Sequence, residues 1–249
     1  MLSPAPSPDR INGRLVYAIG DVHGRYDLLT DLLERIAADI TRCGEGRRPV
    51  LIFCGDYIDR GPQSAEVVES LIWLRTDRRF DLHLLKGNHE DALLAFLDTP
   101  DTASRWLQVG GRATLSSYGV SPPHDINDPQ ACLEARDDLA RRMPSSHRLL
   151  LAELETMVVI GDYAFVHAGV RPGVKLADQS PRDLMWIREG FLERRERFEK
   201  RIVHGHSWTS AQPEVMANRI NIDTGAFKTG VLTAVRIQDM EVSILQSAN

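Results

Sequence analysis

The sequence predicts an α/β fold, and three observations predict it. Three successive units of apolar strand, small polar turn and amphipathic helix run from Arg14 to Leu97, and strand signals return after residue 155. The stretch between them, residues 98–152, lacks strand signals and reads as a mainly helical insertion. In such sheets the functional groups gather at the carboxyl ends of the strands, so the turns are the places to look for chemistry.

The first unit is the β-rich run Leu15 to Ile19, the turn Gly20-Asp21-Val22-His23-Gly24, and a helix marked by Leu28, Leu29, Leu32, Leu33, Ile36 and Ile40. The second runs from Val50 to Cys54 into Gly55-Asp56-Tyr57-Ile58-Asp59-Arg60-Gly61, then a helix carrying Val67, Val68, Leu71, Ile72 and Leu74. The third is Leu82 to Leu85, the turn Lys86-Gly87-Asn88-His89-Glu90, and the helical Ala92 to Leu97. Further strands are expected at Thr156 to Ile160, Tyr163 to Val166, Ile202-Val203, Ile220 to Ile222, Leu232 to Ile237 and Val242 to Leu245. Residues 1–13, with Pro4, Pro6 and Pro8, are expected to be a flexible tail, and 14–249 a single domain containing the insertion.

Composition excludes several classes. A chain of 249 residues, 43% hydrophobic, has enough apolar residues for a full core. A formal net charge of -5 argues against bulk binding to nucleic acid or to an anionic membrane, either of which favours a basic face. Cys43, Cys54 and Cys132 are few, scattered and odd in number, which fits reduced thiols in a cytoplasmic protein. No apolar run approaches the length of a membrane span, and no secretory signal pattern opens the chain.

Asp21 and His23, Asp56, Asn88, His167 and His206 sit at strand ends in five separate places. Oxygen and nitrogen ligands without cysteine suit Mn²⁺, Fe or Zn in a hydrolytic site better than a structural zinc cage. Alternation in Asp21-Val22-His23 puts both side chains on one side of an extended segment, where they can hold one ion, and Asp56 is the natural bridge to a second. His124 and His147 fall in loop-like sequence and read as solvated. His83 reads as a satisfied histidine within a strand, and His204 fits either a core or a supporting role.

The ordered set Gly20 to Gly24, Gly55 to Gly61, Gly87-Asn88-His89-Glu90, His167-Ala168-Gly169 and Gly205-His206 resembles the signature of the phosphoprotein phosphatase family of metallophosphoesterases, its short bacterial and phage-type members above all. The resemblance spans roughly residues 14–240. It implies a four-layer α/β/β/α arrangement, a two-sheet sandwich flanked by helices, and two divalent metal ions, for which Mn²⁺ is expected and Fe or Zn are possible. One ion would take Asp21, His23 and Asp56; the other would take Asp56, Asn88, His167 and His206. It also implies hydrolysis of phosphoserine or phosphothreonine by in-line attack of a water activated between the metals. His89, beside a ligand but not a ligand in the family pattern, is then the general acid, with Asp59 orienting its imidazole. Arg60 is expected to clamp phosphate, and Arg188, in Trp186-Ile187-Arg188, matches the second clamp of the short members. Arg171 is a further substrate-facing candidate, and Asp223-Thr224-Gly225 resembles a segment near the site without acquiring a role. The substrate partner is a phosphorylated protein or small phosphoester, with no dedicated regulatory subunit expected.

Three rival readings fit parts of the same pattern. Cys54 and Arg60 have the spacing of a cysteine-dependent phosphatase loop, but Asp56 and Asp59 would repel the phosphate dianion it must hold. Symmetrical diadenosine tetraphosphatases share most motifs but typically carry Ala at the position of Asp59 and Asp at that of Glu90. A non-catalytic scaffold predicts the loss of a ligand, the acid or a clamp, and the sequence retains all of them.

Overall fold

The computed structural model describes residues 9–43, 46–99 and 103–247. Its strands are β1 (Leu15–Ile19), β2 (Val50–Phe53), β3 (Asp81–Leu84), β4 (Met157–Ile160), β5 (Tyr163–Val166), β6 (Arg201–His204), β7 (Glu214–Val215), β8 (Arg219–Asn221), β9 (Thr233–Gln238) and β10 (Glu241–Gln246). They form two five-stranded sheets, ordered β10-β9-β1-β2-β3 and β4-β5-β6-β8-β7. β1, β2 and β3 run parallel in the first sheet, as do β5, β6 and β8 in the second. Only β7, two exposed residues, has no counterpart among the strands the sequence predicts, being too short to show a period.

Strand alternation explains the layering. On β1, Leu15, Tyr17 and Ile19 face one cluster with Leu28, Leu29, Leu32, Val67, Leu93 and Trp106, so helices cover that side. Val16 and Ala18 face the other way and join Ile52, Cys54, Phe165, Val203 and Ile220, the interior between the two sheets. On the far side, Ala164, Val166 and Ile202 pack against Leu176, Leu184 and Phe191. The result is an α/β/β/α sandwich with two sheets flanked by helices.

The helices of the three units are α1 (Tyr26–Cys43), α2 (Ser64–Thr76) and α3 (Asn88–Asp98). Residues 103–152 hold α4 (Ala103–Trp106), a π-type turn at Leu107–Gly111, α5 (Arg112–Ser117), α6 (Pro129–Arg142) and α7 (Ser145–Ala152), and α8 (Pro181–Trp186) and α9 (Ala226–Thr229) follow. The proposed tail divides: residues 1–8 lie outside the described ones, whereas Ile11 is fully buried between the sheets and its N–H donates to Asp239 O at 3.2 Å. The packed chain therefore begins before Arg14, because Ile11 supplies apolar surface that the proline pattern hides.

Candidate metal and phosphate site

Each parallel strand ends in a turn that carries a polar residue toward one common edge. Asp21 follows β1, Asp56 follows β2, Asn88 follows β3, His167 follows β5 and His206 follows β6. Both sheets thus contribute, and all five side chains are buried along with His23. A Cβ on Gly87 or Gly205 would collide with the carboxylate of Asp56 or Asp21, respectively, which explains glycine directly beside these residues.

Backbone strain is concentrated here. Of the seven non-glycine residues with positive φ among those described, five belong to the site: His23 (47°), Asp56 (53°), Asp59 (72°), Arg60 (69°) and His206 (66°). Each costs free energy that the packed surroundings must offset, and such residues cluster where geometry serves function.

Two of the imidazoles are oriented so that they could serve as ligands. His23 Nδ1 lies 2.9 Å from Ile58 O and His167 Nδ1 lies 2.7 Å from Cys54 O. A carbonyl only accepts, so each Nδ1 carries the proton and each Nε2 keeps a free lone pair. Those nitrogens point at opposite oxygens of one carboxylate: His23 Nε2 is 3.6 Å from Asp56 Oδ2, and His167 Nε2 is 3.4 Å from Asp56 Oδ1. Two donor groups result, His23-Asp56-His89 and Asp56-His167-His206, sharing Asp56. The buried His206 Nε2 has no hydrogen-bond partner, and His167 Nε2 faces Asn88 Oδ1 at 2.9 Å as one acceptor to another. Cations would satisfy both. Burial lowers the pKa values of His23 and His167 and takes His206 to about 2, so the neutral, ligating form prevails. Burial would raise Asp56, but positive charge on the imidazoles around it outweighs this and lowers it, and of these His89 is the one whose own pKa is raised.

Asp21 stands outside both groups. Its carboxylate accepts the His206 N–H at 3.0 and 3.2 Å, and burial, then the charges of Asp223 and Asp56, raise its pKa well above the ordinary range. Asp223 is buried beside it, accepts the Gly225 N–H at 2.9 Å, and is pushed up to about 6, chiefly by burial.

His89 is bound differently from the other imidazoles. Its Nδ1 meets Asp59 Oδ2 at 2.6 Å, leaving Nε2 facing the shared carboxylate at 3.8 Å and Arg60 at 3.2 Å. Burial works against its charged form, but Asp56 and Asp59 raise its pKa above the usual range. Asp59 is itself fixed by the helical segment: Trp106 Nε1–H donates to Oδ2 at 2.8 Å and the Thr114 hydroxyl to Oδ1 at 2.5 Å.

On one side of the two donor groups opens a cleft of about 400 Å³, with Arg60, Asn88, His89, Arg105, Trp186 and Arg188 in its walls. Arg188 is steered there by hydrogen bonds from its guanidinium to His206 O and Ser207 Oγ, at 3.2 and 3.3 Å. Arg60 lies over Phe227, 4.6 Å from the ring centroid.

The family description "Calcineurin-like phosphoesterase" matches residues 15–224, most of the chain and every one of these turns. The chain belongs to the calcineurin-like phosphoesterase family. Members use a dinuclear divalent metal centre, and the paired groups around Asp56 fit one. Among relatives, the "Bis(5'-nucleosyl)-tetraphosphatase PrpE [asymmetrical]" of Bacillus cereus (strain B4264) is 29% identical, aligned over 92% of this chain and 93% of its own. A solved structure described as a candidate diadenosine tetraphosphatase superposes with a TM-score of 0.64 at 18% identity, over 97% of this chain and 99% of that one. A serine/threonine phosphatase from Saccharomyces cerevisiae superposes at 0.53 and 14%, over 98% and 81%. At these identities the superpositions speak to fold alone.

For this calcineurin-like phosphoesterase the structure brings Asp21, His23, Asp56, Asn88, His89, His167 and His206 to one edge, with Asp59, Arg60 and Arg188 around them. Of the other expectations, those for Arg171 and His147 need correction. Arg171 is held by Asp183 at 2.5 and 2.8 Å and is absent from the cleft walls. Cys54 is fully buried, and burial raises its pKa, so it is not a thiolate nucleophile. His147 is buried, not solvated, because the α7 turn tucks it between Tyr118 OH at 2.8 Å and Glu69 at 2.9 Å. His204 is a core residue, against Phe191.

Three further residues support the site and were not singled out by the sequence pattern. Trp106 and Thr114 give no local signal, since their partner lies about fifty residues earlier in the chain. Glu90 did leave one. It sits at the third position of α3, accepts the N–H of the cap residue Gly87 at 2.9 Å, and also accepts those of Asp56 at 2.9 Å and Tyr57 at 2.8 Å. A glutamate three residues after Gly87, able to accept the cap N–H, was readable; its reach across to the second turn was not.

Proposed function

We propose that this chain is a metal-dependent hydrolase of dinucleoside tetraphosphates that cleaves them asymmetrically. The observation that carries the hydrolytic reading is the single Asp56 carboxylate whose two oxygens face His23 Nε2 and His167 Nε2 at 3.6 and 3.4 Å. That geometry supports a bridge between two ions. The substrate class rests on the full-length alignment with relatives named as asymmetrical bis(5'-nucleosyl)-tetraphosphatases. Asp59 and Glu90, which depart from the symmetrical hydrolases, agree with it.

In this reading Asp21, His23 and Asp56 hold one ion, and Asp56, Asn88, His167 and His206 the other. When bound, a pair of divalent cations, Mn²⁺ or alternatively Fe or Zn, polarises phosphoryl oxygens and acidifies water toward neutrality. Arg60 and Arg188 grip non-bridging oxygens and set the line of attack. His89 keeps Asp59 on Nδ1, so Nε2 can deliver a proton to the leaving oxygen, and Asp59 stabilises the imidazolium meanwhile.

The Asp59-His89 pair also favours a second reading, a serine/threonine protein phosphatase, since an alkoxide needs a proton more than a departing nucleotide does. Turnover of diadenosine tetraphosphate and of a phosphothreonine peptide by one Mn²⁺-loaded preparation decides between them. The expected result is a higher kcat/KM for the tetraphosphate, with ATP and AMP as products. Preference for the peptide would establish the second reading, and ADP as the sole product would refute the asymmetry.

A further inference from the structure

We propose that Arg105 and Trp186 form a nucleotide subsite, Trp186 stacking a base and Arg105 binding phosphates remote from the scissile one. This deepens, and rests on, the tetraphosphate reading above.

The cleft beside the metal-ligand groups runs from Asn88, His89 and His206 to Arg105 and Trp186, and its volume of about 400 Å³ falls within the range of small-molecule sites. Three guanidiniums, those of Arg60, Arg105 and Arg188, line it against one carboxylate, Asp91, in a chain whose formal net charge is -5. A phosphomonoester occupies two of them, because a planar guanidinium binds two phosphoryl oxygens and Arg60 and Arg188 already lie beside the metal ligands. The third then has no partner in a monoester substrate. Arg105 is exposed, makes no ion pair among the described residues, and lies 5.7 Å from the centroid of the Trp186 ring. Trp186 ends α8, half-buried, two residues before Arg188. An aromatic face beside unpaired guanidiniums suits a base joined to a polyphosphate: every base has a π-face, and each phosphate adds negative charge.

The predicted signature is selective for the long substrate. With Mn²⁺-loaded enzyme, Trp186→Ala and Arg105→Ala should each raise KM for diadenosine tetraphosphate about tenfold, the scale of one lost stacking or charged contact, with kcat within about twofold. Hydrolysis of p-nitrophenyl phosphate should not change. Trp73→Ala, at a 68% exposed tryptophan on α2, should change neither. Calorimetric titration with a methylene-bridged tetraphosphate analogue should show the same rise in Kd without turnover. If Trp186→Ala fails to fold, Arg105→Ala carries the test, since its side chain is exposed. Wild type that cleaves the tetraphosphate while both variants keep its KM and Kd overturns the subsite alone. Equal losses on both substrates overturn it too, marking a structural role. Wild type that hydrolyses p-nitrophenyl phosphate but neither cleaves nor binds the tetraphosphate overturns the subsite and the proposed function together.

Discussion

At the scale of single residues, the second turn divides its work among neighbours with different partners. Asp56 faces the Nε2 atoms of His23 and His167 at its two oxygens, whereas Asp59, three residues on, is bonded to His89 Nδ1, Trp106 and Thr114. Asp56→Asn should therefore lower bound metal measured by elemental analysis. Asp59→Asn should keep the metal and slow turnover by about 10² to 10⁴-fold, the usual range for lost acid catalysis. Equal metal loss in both variants would remove the distinction between them. The turn's chemistry was legible because Asp, Asp and Arg crowd a tight bend after a buried strand. Its strain was not: left-handed φ at Asp56, Asp59 and Arg60 follows from packing against α3 and the segment after Trp106, and no local pattern announces it.

At the scale of elements, the helical segment does more than cover the sheet. Gly110 O accepts the Arg60 N–H at 3.2 Å, and the Thr114 hydroxyl meets both the carboxylate and the N–H of Asp59. Thr114→Val strips the buried Asp59 Oδ1 of its donor and leaves the Asp59 N–H only Ser64 Oγ at 3.1 Å, and should cost about 1–3 kcal/mol, read from the urea midpoint. Trp106→Phe keeps an aromatic ring but removes the N–H, so turnover should fall with bound metal unchanged. A second tie joins α1 to the sheet: Asp39 takes hydrogen bonds from Tyr17 OH at 2.7 Å and Arg42 at 2.5 Å, and Arg236 pairs with it at 3.2 Å. Burial raises its pKa, but these donors prevail and bring it to about 2. A depressed carboxylate contributes stability that is present above its unfolded value near 4 and is lost as pH falls through about 2. Asp39→Asn should lower stability at pH 7 and flatten that acid loss in thermal melts. The helices of the three units were legible from their apolar spacing, as was the helical character of 103–152, but its contacts with Asp59 were not, because they join residues far apart in sequence.

At the scale of the molecule, two sheets of mixed polarity converge so that the carboxyl ends of β1, β2 and β3 meet those of β5 and β6. Strand order was hidden in the sequence, since β9 and β10 close the first sheet from the far end of the chain. What could be read was that every polar turn follows an apolar strand, which is enough to collect the turns at one edge. Among the described residues no helix is long and apolar enough to cross a membrane. The central claim is that this edge holds two ions joined by Asp56. Anomalous scattering from crystals grown with Mn²⁺ tests it most directly. Two peaks about 3.5–4 Å apart on either side of the Asp56 carboxylate are predicted. A single peak, or a pair elsewhere in the molecule, would contradict it.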